Sequence, residues 1–184
     1  TVEITSKCNE AVVVRRSGVV LRGADPALDG IVGPVEDFVP LLQIDGATIG
    51  SRNGHAVEIT RLSISGGSDC GLWVSDSSVR VADTLIADNN TGGGCSGFNL
   101  NRGSSAVVTG TTFLRNGLSA SQSSVSCRDC TFEGHPFAAF IVGVGAFGSL
   151  SRSTIDGGGG ATSQTGAVLH VVDWFVNDGW SVGV

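Results

Sequence analysis

The sequence predicts an all-β chain wound as a single right-handed parallel β-helix, a solenoid of about seven to eight coils, and three observations carry that expectation. Val, Ile, Ser, Thr and Gly dominate, with 28 Gly and only 15% charged residues in 184, which is the chemistry of strands and turns. Two short apolar patterns alternate along the chain at nearly constant spacing. The glycines leave no room for the 10 to 15-residue amphipathic stretches of a helical solenoid. With 41% hydrophobic residues, one domain over residues 1–184 suffices to build one core.

The first pattern is Gly-x-x-apolar, in Gly71–Val74, Gly97–Leu100, Gly117–Ala120, Ala139–Val142 and Gly166–Leu169, with starting residues 26, 20, 22 and 27 apart. The second has inward-type residues at i, i+2, i+5 and i+7. It reads Val57-Ile59-Leu62-Ile64, Val79-Val81-Thr84-Ile86, Ala106-Val108-Thr111-Phe113, Val125-Cys127-Cys130-Phe132 and Gly148-Leu150-Ser153-Ile155. Alternation at period two, broken by a one-residue slip, is what a strand produces when it bends and continues on a second face. No such repeat buries its own apolar row, so successive coils must stack like over like, with parallel strands.

The segment Val12–Pro26, followed by Leu42-Gln-Ile-Asp-Gly46 and then the Gly-Leu-Trp-Val coils, resembles right-handed β-helix proteins of the pectin-lyase-like superfamily. That resemblance spans essentially the whole chain. It is specific for fold and poor for function, because the superfamily includes lyases, hydrolases, esterases, epimerases, phage tailspikes and noncatalytic surface proteins. Its members usually carry an N-terminal capping helix, and neither this nor a C-terminal cap is expected within residues 1–184. Gly179-Trp-Ser-Val182 reads as the start of another coil. The opening at Thr1, with no Met and no apolar leader, reads as a processed chain.

The resemblance implies that the Gly-x-x-apolar strands carry any substrate cleft. Their outward row is expected to be Gln43/Asp45, Trp73/Ser75, Asn99/Asn101, Ser119/Ser121, Ile141/Gly143 and Val168/His170. Asp69 and His170 are the candidate catalytic residues. Trp73, Asn99, Asn101 and Asp45 are the candidate substrate contacts. The Ser68–Val74 segment is similar to the Asp-Asp-Cys-Val stretch of polygalacturonases, with only one of the two aspartates. Glycoside hydrolysis needs two facing carboxyls, and the row offers no adjacent pair. β-Elimination needs a base with cations beside it, and the row supplies one His and no Lys.

The simpler readings are also explicit. Asp69 is a turn former, and His55, His135 and His170 are surface or loop residues. Asn89, Asn90 and Asn116 are corner residues of an asparagine ladder, although Asn89-Asn-Thr91 is formally a glycosylation sequon. The runs Thr91–Gly94 and Gly157–Gly160 are corner loops, not phosphate loops. Five Cys fit either an exported chain with disulfides and one leftover thiol or a reduced chain. Cys70 and Cys95 are the disulfide candidates, Cys127 and Cys130 read as buried core thiols, and Cys8 is the unpaired residue. No metal site or cofactor is expected, apart from a Ca²⁺ contact at Glu36 and Asp37 in Pro34–Phe38.

A net charge of −6 without a basic cluster argues against nucleic acid and weighs against a polyanionic glycan. No apolar run reaches membrane-span length, so no membrane insertion is expected. The preferred function is a noncatalytic extracellular β-helix module, secreted or cell-surface, structural or polysaccharide-contacting. The alternative is a polysaccharide lyase or glycoside hydrolase. Open apolar ends predict a homo-oligomer.

Overall fold

A computed structural model describes residues 1–33, 39–47, 54–90, 95–135 and 138–180, with side chains through residue 177. The expected Ca²⁺ contact at Glu36 and Asp37, the Thr91–Gly94 run, and Ser181 and Val182 lie outside the described residues. Among those described there are 22 strands and no helix. The strands form one eight-stranded and one fourteen-stranded sheet with parallel pairing. The larger sheet is two faces joined through the long strand Thr154–Ser163. Its first residues pair with Thr131–Glu133 and its last with Ala138–Val142. Three faces therefore wind into a parallel β-solenoid of about seven turns, and the right-handed β-helix fits it, as the handedness of parallel crossovers requires.

One coil shows the plan. Val57–Thr60 lies on the first face, Ser63–Ser65 on the second and Leu72–Ser75 on the third. Each stacks on its equivalent one coil later, as in Val57↔Val79, Ser63↔Leu85 and Leu72↔Phe98. The i, i+2, i+5, i+7 residues are buried throughout, from Val57, Ile59, Leu62 and Ile64 to Gly148, Leu150, Ser153 and Ile155. The slip between i+2 and i+5 has a local cause. Arg61, Asp83, Gly110, Asp129, Arg152 and Asp173 occupy one corner at φ of 48 to 56°, a left-handed turn that reverses which side chains face inward. Each turn is held to the next coil, as in Arg61 N to Ala82 O at 3.1 Å and Asp83 N to Thr109 O at 3.0 Å. Arg152 also forms a two-pronged bond to Asp129 across coils, with Nη2 to Oδ2 at 2.6 Å. The hydrogen bond from Arg152 holds the Asp129 carboxyl below the usual carboxylate range.

Every corner also carries a buried polar column that satisfies backbone groups left over by the bend. At the first corner the Thr84, Thr111 and Ser153 hydroxyls donate to the carbonyls of Ala82, Thr109 and Ser151 at 2.9, 3.1 and 2.9 Å. At the corner leading back to the first face, Ser77 Oγ donates to Ser75 O at 2.7 Å and Ser123 Oγ to Ser121 O at 2.8 Å. The second-to-third corner holds Asn89 and Asn116, which form the expected ladder. Asn89 is 4% exposed, so the sequon asparagine is closed to modification in the folded chain.

Two expectations are corrected here. Gly157–Gly160 is not a loop but part of the strand Thr154–Ser163, which turns the corner at Gly157 and Gly158 with φ of 70 and 97°. A side chain at Gly158 would collide with the His135 carbonyl of the coil beneath, so only glycine continues the strand there. His135 is likewise not a surface residue: at 8% exposure it is buried at the corner, following Asn89 and Asn116.

Candidate functional site

The outward row of the third face runs Gln43–Trp73–Asn99–Ser119–Ile141–Thr162, one residue per coil, with Asp45–Ser75–Asn101 two residues along. Most of these side chains are half-buried, and a shallow cleft of about 460 Å³ opens along the middle of the row. Trp73, Asn99, Asn101, Ser119 and Ile141 form its wall along the strands, and Asn116 and His135 lie at the corner margin. Arg115 is the charged residue that lines it, and its guanidinium is engaged by Asp88, with Nη2 to Oδ2 at 2.7 Å.

His170 does not belong to this row. It lies exposed in Val168–Val172 on the first face, paired with Ser149. The third-face strand of that coil is instead the end of Thr154–Ser163, where Ala161 pairs with Phe140 and Thr162 with Ile141. The segment equivalent to Ala139–Val142 in that coil is therefore Gly160–Ser163, which ends in serine where the earlier coils have an apolar residue. Gly166–Leu169 mimics the pattern while leading into the next face. This correction also removes Val168 from the row.

Asp45 and Asp69 are not brought together. Asp45 pairs with Ser75, six residues beyond Asp69. Asp45 lies beside the last residue of the strand Leu72–Ser75, whereas Asp69 precedes that strand, so the two fall at opposite ends of it. Paired glycosidase carboxyls stand about 5 to 9.5 Å apart. What the cleft offers is therefore amides, hydroxyls, an indole, the His135 imidazole at its margin and an Arg115 guanidinium paired with Asp88. This is a surface able to hydrogen-bond and to stack.

Asp69 has different neighbours. Cys70 and Cys95 are disulfide-linked between adjacent coils, with Cα atoms 5.3 Å apart. The Asp69 carboxylate and both sulfurs lie within 4.8 Å of one another. The Asn99 amide nitrogen donates to Cys70 Sγ at 3.2 Å, to Ser96 O at 3.3 Å and to Cys95 Sγ, so it is directed at this cluster. Cys127 and Cys130, read from the sequence as core thiols, are buried but also joined as a disulfide. Cys8 remains unpaired, and its thiol donates to Glu10 Oε1 at 3.0 Å, which pushes its pKa up. The denatured, unreduced chain should thus show one titratable thiol; five would eliminate both links. The Cys70–Cys95 link spans 25 residues, and its reduction should cost about 3 kcal/mol by loss of the chain-entropy constraint, measured as a shift in urea midpoint.

The buried amide corner is a feature that residue-by-residue reading understates. Gly71, Gly97 and Gly117 each stack against a polar side chain 18 or 19 residues later, namely Asn89, Asn116 and His135. A Cβ at Gly97 would lie 2.6 Å from Asn116, and one at Gly117 would lie 3.0 Å from His135 Nε2. The glycines that open these three third-face strands admit the column. That fixed offset is the sequence signal by which it is found.

The chain matches no family model, no curated protein and no solved structure. Its architecture is established as a parallel β-solenoid of about seven turns.

Proposed function

We propose that the chain is a noncatalytic extracellular β-helix module of the pectin-lyase-like kind, and that its third face contacts neutral carbohydrate. The observation that carries this reading is the row Gln43–Trp73–Asn99–Ser119 with Asn101 beside it. An indole stacks on the apolar face of a sugar while amides and hydroxyls bond its hydroxyl groups. Coils repeat at about 4.8 Å, so the row presents a succession of different polar and stacking contacts along one line of the face. A net charge of −6 and the pairing of Arg115 with Asp88 favour a neutral over an anionic chain. The two disulfides support an oxidising location.

The test is a panel of neutral and acidic polysaccharides followed by calorimetry, with reducing-end and unsaturated-product assays run in parallel. Neutral glycans should bind without turnover, and Trp73→Ala should weaken binding about tenfold, or ~1.4 kcal/mol. Ser149→Ala on the first face should leave binding unchanged. Turnover abolished by Asp69→Ala would overturn the noncatalytic reading, and binding insensitive to Trp73→Ala would overturn the site.

A further inference from the structure

We propose that Asp69, Cys70 and Cys95 form a redox-gated site for one thiophilic divalent cation, with Zn²⁺ the best fit. Three observations converge. One carboxylate oxygen and two sulfurs lie within 4.8 Å of one another, at the junction of adjacent coils. Tetrahedral zinc, with Zn–S of about 2.3 Å and Zn–O of about 2.1 Å, needs its sulfurs roughly 3.8 Å apart, so opening the disulfide by a small side-chain rotation brings all three donors into range. The Asn99 side chain also donates N–H bonds to both sulfurs. A disulfide has little use for such donors or for a neighbouring carboxylate, whereas a metal-bound thiolate is oriented and stabilised by N–H bonds of this kind.

The gate is the disulfide itself. Reduction by an external dithiol or phosphine breaks one S–S bond, delivers two electrons and places one proton on each sulfur. Binding the cation then releases those two protons and leaves two thiolates and one carboxylate around the ion. Three protein ligands leave a fourth position, and since Cys95 lines the third-face cleft, that position opens toward it. In oxidising surroundings the same residues are a covalent staple between coils. Cys127 and Cys130 form no equivalent site: the intervening Asp129 is turned outward to Arg152.

The test uses the full chain, metal-free, in a non-chelating phosphine reductant, titrated with Co²⁺ and then Zn²⁺. The reduced chain should develop thiolate-to-cobalt charge transfer and intense tetrahedral visible bands at one equivalent, bleached by Zn²⁺, and the oxidised chain should develop neither. Cys70→Ser should abolish the bands, and the Cys127→Ser/Cys130→Ser double variant should keep them. Asp69→Asn, which leaves the cysteines and the staple intact during purification, should lower affinity at least tenfold at unchanged far-ultraviolet dichroism. Absence of bands in a reduced chain that retains β-structure overturns the proposal, as does persistence of the bands in Cys70→Ser. Loss of β-structure on reduction overturns it equally, because the site needs the stacked coils.

Discussion

Replacing Phe132 by alanine is expected to lower the unfolding free energy by about 3–5 kcal/mol. Phe132 continues the second-face inward column Ile64–Ile86–Phe113–Phe132–Ile155 and is 1% exposed. Its ring stacks on Phe113 with centroids 4.6 Å apart and planes 8° from parallel, and meets Phe140 of the third face edge-on at 6.3 Å. Truncation therefore removes transfer energy, two aromatic contacts worth about 0.5–1.5 kcal/mol each, and the filling of a space that cannot collapse. Collapse is prevented because the backbone on either side is fixed by the parallel ladder to the coils above and below. Urea denaturation followed by far-ultraviolet dichroism measures the loss, with Phe132→Leu, which loses the aromatic contacts but keeps most of the volume, expected to lose clearly less than the alanine variant. In a solenoid the damage is local first, so amide exchange should accelerate most in the coils holding Phe113, Phe132 and Ile155. A loss below about 1 kcal/mol would mean that the three phenylalanines do not pack as one cluster.

Asn116→Ala is expected to cost on the order of 4 kcal/mol, from a polar residue 2% exposed. Asn116 Oδ1 accepts from the Asn89 backbone N–H at 3.1 Å and from Asn89 Nδ2 at 2.8 Å. Its Nδ2 donates to the carbonyls of Asn89 and Arg115, both at 2.9 Å. Alanine leaves two buried donors and two buried carbonyls without these partners, at about 1–3 kcal/mol for each group that stays dry. The Asn89 amide should exchange markedly faster, which a purely steric role for Asn116 would not produce. The partner experiment is Gly97→Ala, where the new methyl would press on Asn116 and cost about 1–3 kcal/mol. In the double variant the two losses should be only partly less than additive, because Asn116→Ala removes the Cγ and Oδ1 that the methyl would meet at 2.6 Å but keeps the Cβ at the same distance. Full additivity would mean that Gly97 is required for some reason other than the column.

These two sites also show how the sequence carried the fold. The inward residues were legible because their chemistry repeats with the geometry: Ile64, Ile86, Phe113, Phe132 and Ile155 recur at the coil length, and each is buried. The left-handed corner at Arg61, Asp83 and Asp129 was visible only as a slip in that pattern, since most residues at such a corner are not glycine. The late coil was misread where a local pattern was degenerate. Gly166–Leu169 has the same form as Gly117–Ala120, yet the Gly157–Gly160 run had already turned the corner as a strand. Choosing between them needs the pairing of Ala161 with Phe140, a contact between residues 21 apart that local spacing does not encode.

The architecture is written in the chain's short-range periodicity, because like-over-like stacking repeats the same decision in every coil. The outward row through Trp73 and Asn99 followed from alternation alone. What surrounds that row depends on contacts between coils. Those contacts moved His170 to another face, separated Asp45 from Asp69 and aimed the Asn99 amide at the Cys70 and Cys95 sulfurs beside the Asp69 carboxylate. Sites depend on which corner and which coil each polar side chain occupies, and coil lengths that vary from 19 to 38 residues set that placement through inter-coil hydrogen bonds, which no single repeat contains.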